Sequence, residues 1–146
     1  MINFSAGKIS LGSEDFFFHS DYRHLEFLCT QRLVEKREGP AKPCFYAETR
    51  VDGMKLRISI SLQQDKIGSL TLDWLDGPCT GKGWDGVSDE LLWEEYGLLV
   101  KFVRRNGGGR PDNKQERQHI WRFKWGEVVV SYQQRDFVTG IFMEPR

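Results

Sequence analysis

The sequence predicts an α+β domain: a twisted antiparallel β-sheet of about five to six strands with two helices packed on one face. Three stretches carry this expectation. "FYAETRVDGMKLRISISL" (Phe45–Leu62) alternates apolar and polar residues on both sides of Asp52-Gly53. That pair suits a type I′ hairpin turn, whose two central residues both need positive φ. "SDELLWEEYGLLVKFVRRN" (Ser88–Asn106) places apolar residues at helical spacing between a capping serine and an Asn-Gly stop. "IWRFKWGEVVVSY" (Ile120–Tyr132) alternates again, as a half-buried strand does.

The elements follow in chain order. "INFSAGKISLG" reads as a short strand or hairpin, with Ser5–Lys8 as its turn and Ile9 and Leu11 on one face. "SDYRHLEFLCTQRLVEKREGP" reads as a helix capped by Ser20 or Asp21. Leu25, Leu28, Cys29 and Leu33 lie along it, and Gly39-Pro40 end it. In the central hairpin Leu56, Ile58, Ile60 and Leu62 share one face, and Lys55, Arg57, Ser59 and Ser61 the other. That is a sheet with one dry and one wet side. "GSLTLDWL" continues the meander through Leu70, Leu72 and Trp74, and "GPCTGKGWDG" is a loop.

The long helix begins at Ser88, with Asp89 and Glu90 at the positive end of its dipole. Its stripe is Leu91, Leu92, Glu95, Leu98, Leu99, Phe102 and Val103, with Leu91, Leu98, Leu99 and Phe102 expected against the sheet. "GGGRPDNKQERQ" is a polar loop. Trp121, Phe123 and Trp125 then share the aromatic face of one strand, interrupted by Gly126. Val128, Val130 and Tyr132 resume the alternation, "QQRD" turns, and Phe137, Ile141 and Met143 return. The aromatics read as a buried hairpin rather than a ligand platform, because large rings dominate core burial.

The 146 residues suit a single domain, 1–146. Hydrophobic residues at 39% suffice for a packed core. Lysine plus arginine equal aspartate plus glutamate at 21 each, so bulk attraction to nucleic acid or to a membrane surface is not expected. Cys29, Cys44 and Cys79 are odd in number and widely spaced, so reduced thiols are expected. No signal peptide or membrane-spanning run is evident, and a cytoplasmic location follows as the expectation.

No pattern nominates chemistry. In "GPCTGKG" three residues, not four, separate Gly77 from Gly81, and glycine follows Lys82, so the phosphate-loop requirement fails. His19 and His24 lie five apart, not the four that share a helical face, and no two cysteines are close enough to chelate a metal. No cysteine or serine sits in a nucleophile turn beside a base, and Glu94 and Glu95 point in different directions from one helix. The sequence therefore nominates no catalytic, cofactor-binding or metal-ligating residue, and no enzyme is expected.

Charge is uneven despite its zero sum. Asp73, Asp76, Asp85, Asp89, Glu90, Glu94 and Glu95 face only Lys82 within Asp73–Glu95. Basic residues dominate Lys101–Lys124. Such blocks serve as interaction surfaces or as solvated helix ends matched to the dipole.

"W-x-F-x-W-G-x-V-x-V-S-Y" followed by "R-D-x-x-x-G-I", with "HLEFL" and "DGMKLRISISL" upstream, resembles small, poorly characterised bacterial proteins with a C-terminal Trp-Gly hairpin. Some of those look like immunity or accessory proteins of toxin and secretion systems. The resemblance implies a non-enzymatic cytoplasmic protein that neutralises a protein partner by covering it. The candidate contact residues are Asp85, Asp89, Glu90 and Glu94, suited to a basic partner such as a nuclease toxin. The alternatives are a nucleic-acid-associated module using 101–124 and an enzyme with an unrecognised site.

Overall fold

The computed structural model describes residues 1–146 apart from 41, 80–85, 134 and 137. Strands β1 (Ile2–Asn3), β2 (Lys8–Leu11) and β3 (Glu14–Phe17) form a three-stranded antiparallel sheet in that order. Helix α1 (Tyr22–Thr30) leads into a meander of β4 (Glu35–Arg37), β5 (Cys44–Val51), β6 (Met54–Gln63) and β7 (Lys66–Trp74). Helix α2 (Asp89–Val103) leads into a second meander of β8 (Asn113–Gln115), β9 (Gln118–Arg122), β10 (Gly126–Gln133) and β11 (Val138–Pro145). The two meanders merge into one eight-stranded antiparallel sheet, β4-β5-β6-β7-β11-β10-β9-β8. A helix followed by a four-stranded meander thus occurs twice. The last strands of the two units pair antiparallel at the seam, Leu72 opposite Ile141 and Leu70 opposite Met143.

The expected fold class is corrected here. The described residues are mostly β, with eight strands in one sheet and three in another rather than five to six in all. The missed strands are short and charged. Glu35–Arg37 and Asn113–Gln115 are exposed throughout, so they carry no apolar alternation. They are strands because a long neighbour offers them a backbone edge, and charged edge strands also block further pairing. The helices do not cover the sheet alone. One core joins Phe4, Ile9, Phe16 and Phe18 of the N-terminal segment to Leu25 and Leu28 of α1, the inner face of the large sheet, and α2.

The central hairpin is as expected. Asp52 and Gly53 both have positive φ, and β5 and β6 pair from Val51–Met54 to Cys44–Ser61. Asp52 also pins this turn to the end of α2, accepting from Arg105 Nε at 3.0 Å and Asn106 Nδ2 at 2.9 Å.

Helix α1 is capped by Asp21, whose side chain accepts from His24 N at 3.1 Å. It stops at Thr30 rather than at Gly39: Arg32 takes a left-handed φ of 59°, Leu33 N donates back to Leu28 O at 3.0 Å, and the chain leaves as a strand with Lys36 opposite Phe45. The aromatic strand 121–125 is also corrected. β9 ends at Arg122, and Phe123 and Gly126 exchange backbone hydrogen bonds (2.8 and 3.3 Å) around a tight turn. The turn lays Trp125 back onto the N-terminal segment: its Nε1 donates to Phe4 O at 2.7 Å and its ring meets Phe18 edge-on at 5.1 Å. Gly126 is required there, since a Cβ would lie 2.3 Å from Glu144 O.

Candidate functional site

Helix α2 positions the candidate residues. Ser88 caps it, its side chain accepting from Leu91 N at 3.2 Å, and Asp89 and Glu90 occupy the first turn. The buried face is Leu92, Glu95, Tyr96, Leu99, Val100, Phe102 and Val103. That face is rotated from the expected stripe: Leu98 is 37% exposed. Tyr96 and Val100 replace Leu98 against the sheet because burial follows the β10–β11 surface rather than the count of leucines.

The opposite face of α2 carries Glu90, Trp93, Glu94, Gly97 and Leu98, spaced three and four apart so that they form one outward stripe. Trp93 is 40% exposed, although it is among the largest apolar side chains available. Its ring stacks on Tyr132 at 4.5 Å and 10°, and meets Tyr96 edge-to-face at 5.5 Å. A β10 tyrosine therefore fixes the tryptophan from beneath. On Tyr132 the guanidinium of Arg117 lies 5.7 Å from the ring centre, a cation–π contact. Glu90 and Glu94 are exposed and form no ion pair among the described residues.

The four expected contact residues therefore separate. Glu90 and Glu94 flank Trp93. Asp89 is exposed but is engaged within the fold, accepting a hydrogen bond from the Tyr132 hydroxyl. Asp85 lies outside the described residues. Glu95, the polar member of the stripe, is buried and accepts from the Thr139 hydroxyl and from Cys79 N. Trp93 and Gly97 escaped the sequence reading, and Leu98 was read as part of the buried stripe rather than of the outward one. The signal available was a tryptophan and a mid-helix glycine, both off the apolar stripe.

Beneath this surface Tyr96, Tyr132 and His119 are each shifted toward their neutral forms. Tyr96 O–η lies 2.5 Å from His119 Nδ1, and His119 stacks on Trp121 at 6.1 Å. Burial pushes the Tyr96 phenol up to about 12. Tyr132 is also pushed to about 12, by burial first and then by its bond to Asp89. Burial lowers His119, assisted by the charges of Lys114 and Arg104. Two protonated phenols and a neutral imidazole give a hydrogen-bonded support for the helix, with no activated nucleophile among them.

The basic stretch is partly engaged within the fold. Arg105 bridges to Asp52 at 3.0 Å and Arg122 to Glu127 at 3.3 Å. Cys29, Cys44 and Cys79 form no disulfide among the described residues. Among the described residues no group of three or more histidine, cysteine or acidic side chains is arranged to hold a metal, and no helix is long and apolar enough to cross a membrane. Comparison with protein-family models, with curated proteins and with solved structures returned no match.

Proposed function

We propose that the protein is a non-enzymatic, cytoplasmic binding protein that covers a basic protein partner with the outward face of α2, in the manner of an immunity protein. The observation that carries this reading is the stripe of Trp93 and Leu98, both exposed, beside the free carboxylates of Glu90 and Glu94. An exposed tryptophan held rigid by Tyr132 is the kind of anchor that dominates interface energy. The flanking carboxylates add what an anchor lacks: they steer a positively charged partner and reject acidic ones. A nuclease toxin, whose substrate face must be positive to hold phosphates, has the matching chemistry.

The test is capture of a partner from the native host, followed by association kinetics with purified components. Trp93→Ala should weaken binding by about 2 kcal/mol or more, roughly thirtyfold, as truncated anchors do. Glu90→Lys with Glu94→Lys should slow association most at low salt, because steering is screened by ions. A captured partner that binds both variants at the parental rate would remove this face from the function. Tight, steeply salt-dependent binding of nucleic acid in place of protein would favour the basic-stretch alternative.

A further inference from the structure

The rings beside the first turns of α2 form a column that is closed at one end and open at the other. Trp93 and Tyr132 lie nearly parallel, 10° apart, with centroids separated by 4.5 Å. The Arg117 guanidinium lies 5.7 Å from the Tyr132 ring centre. Trp93 already takes one face of that ring, so the guanidinium has the other. The order is therefore Arg117, Tyr132, Trp93. Tyr96 does not close the far end. It stands edge-to-face to both rings, 5.5 Å from Trp93 and 6.4 Å from Tyr132. A ring on the outer face of Trp93 would lie much farther from Tyr132, so Tyr96 is at the side of the pair. Among the described residues no ring or cation stands on the outer face of Trp93, and the residue is partly exposed.

The helix decides what borders that open face. Successive residues turn by about 100°, so Asp89, Trp93 and Tyr96 share the shoulder that meets Tyr132. Asp89 accepts from the Tyr132 hydroxyl on that side. The outer face of Trp93 looks the other way, over Glu90, Gly97 and Glu94. Both glutamates are exposed and without an ion pair or hydrogen bond among the described residues. No atom lies within 4 Å of a Cβ built on Gly97, so the space between them is open.

We propose, resting on the reading of α2 as the docking face, that the open end of the column takes the guanidinium of an arginine presented by the protein partner. The site asks for a group that is flat, cationic and edged with donors. It must be flat to lie on an indole, cationic to suit the ring face and two free carboxylates, and edged with donors to reach Glu90 and Glu94. A guanidinium meets all three conditions, whereas an ammonium is compact, strongly hydrated and cannot stack. An apolar side chain would stack but would leave carboxylates partly desolvated and unpaired. The closed end of the same column already holds a guanidinium, that of Arg117.

The probes are blocked peptides of one sequence carrying arginine, lysine or citrulline, the uncharged isostere of arginine, at a central position. Binding to the full chain is read by NMR at low salt, from the Trp93 indole N–H and the Gly97 amide. The arginine peptide should move both signals and bind at least about threefold more tightly than the lysine peptide, and the citrulline peptide should bind more weakly than the arginine one. Trp93→Leu keeps apolar bulk but removes the ring face, so it should bring the arginine and lysine peptides to equal affinity. Glu90→Gln with Glu94→Gln changes exposed side chains only, so it should weaken the arginine peptide and leave the rest of the spectrum unchanged. Equal affinity for arginine and lysine in the parent chain overturns the proposal, as does an arginine preference that survives Trp93→Leu. A captured partner lost on Glu90→Lys with Glu94→Lys, from a chain blind to the arginine peptide, would overturn the guanidinium site and leave the docking face standing. An arginine preference removed by Trp93→Leu, in a chain whose captured partner ignores every α2 variant, would uphold the arginine site and remove the neutralising role.

Discussion

Replacing Gly97 with alanine is expected to stabilise the isolated protein and to weaken its capture of a partner. A Cβ built at Gly97 meets no atom within 4 Å, and the residue lies inside α2 with no left-handed φ to preserve. The substitution therefore gains helix propensity without a steric cost, about 1 kcal/mol for glycine to alanine in a helix interior. In a chain of this size that should raise the thermal midpoint by roughly 2–4 °C. Under the proposed function, the same methyl group adds bulk to the outward stripe beside Trp93 and Leu98, where a partner would otherwise meet bare helix backbone. Calorimetry on the free protein and titration with the partner read the two effects separately. A lowered midpoint would mean that the space over Gly97 is filled, contradicting the open face. A raised midpoint with unchanged affinity would mean that the helix tolerates glycine for no binding reason, and Gly97 would drop out of the interface.

Three further outcomes follow from the packing. Leu99→Ala should cost about 2–5 kcal/mol as a core truncation, whereas Leu98→Ala, at an exposed site, should cost under about 0.5 kcal/mol; equal denaturation midpoints would restore the helix register read from sequence. Glu95→Ala leaves the Thr139 hydroxyl and Cys79 N–H without their acceptor and should destabilise by about 1–3 kcal/mol, checked by urea denaturation. The pH profile should fall on both sides. His119 is depressed in the fold, so its contribution is present above about pH 6.5 and is lost as pH drops and the unfolded chain takes up the proton. Tyr96 and Tyr132 are raised to about 12, so their contribution is present below about pH 10 and is lost as pH climbs toward 12. An unchanged midpoint in His119→Gln below pH 6.5 would refute the acid limb.

What was legible in the sequence was whatever repeats with a period. The β5–β6 hairpin was readable because alternation runs on both sides of Asp52-Gly53, and α2 because its cap, its stripe and its stop agree. What was not legible is set by neighbours. Glu35–Arg37 is a strand only because β5 lies beside it, and the first turn of α1 gave no sign that the helix would stop at Thr30. The tight turn at Phe123–Gly126 read as strand up to an interruption at Gly126, because its aromatics keep the strand's parity. Only the approach of Glu144 to Gly126 shows why the chain must reverse there. The candidate surface was half legible: its charges were visible, and its aromatic anchor was assigned to no face.

The acidic block also means less than its length suggests, and this decides where a binding face can be. Asp73 is paired to Arg57, Asp76 accepts from Lys55 N and Trp74 Nε1, Asp89 holds Tyr132, and Glu95 is buried beneath Thr139. Each of these acids holds a piece of the fold, and reversing its charge would damage structure before it touched recognition. Among the described residues of that block, Glu90 and Glu94 alone remain exposed without an ion pair or a hydrogen bond to fold-holding groups. They are also the two that flank the exposed Trp93. A solvated helix needs charge on its outer face but has no use for a tryptophan and a leucine there, since leaving more than a third of each in water forgoes part of the roughly 1.5–3 kcal/mol that full burial supplies. Free charge and partly unburied apolar surface falling on one stripe is what the proposed docking face rests on. It is why reversing Glu90 and Glu94 reports on binding where reversing Asp89 would not.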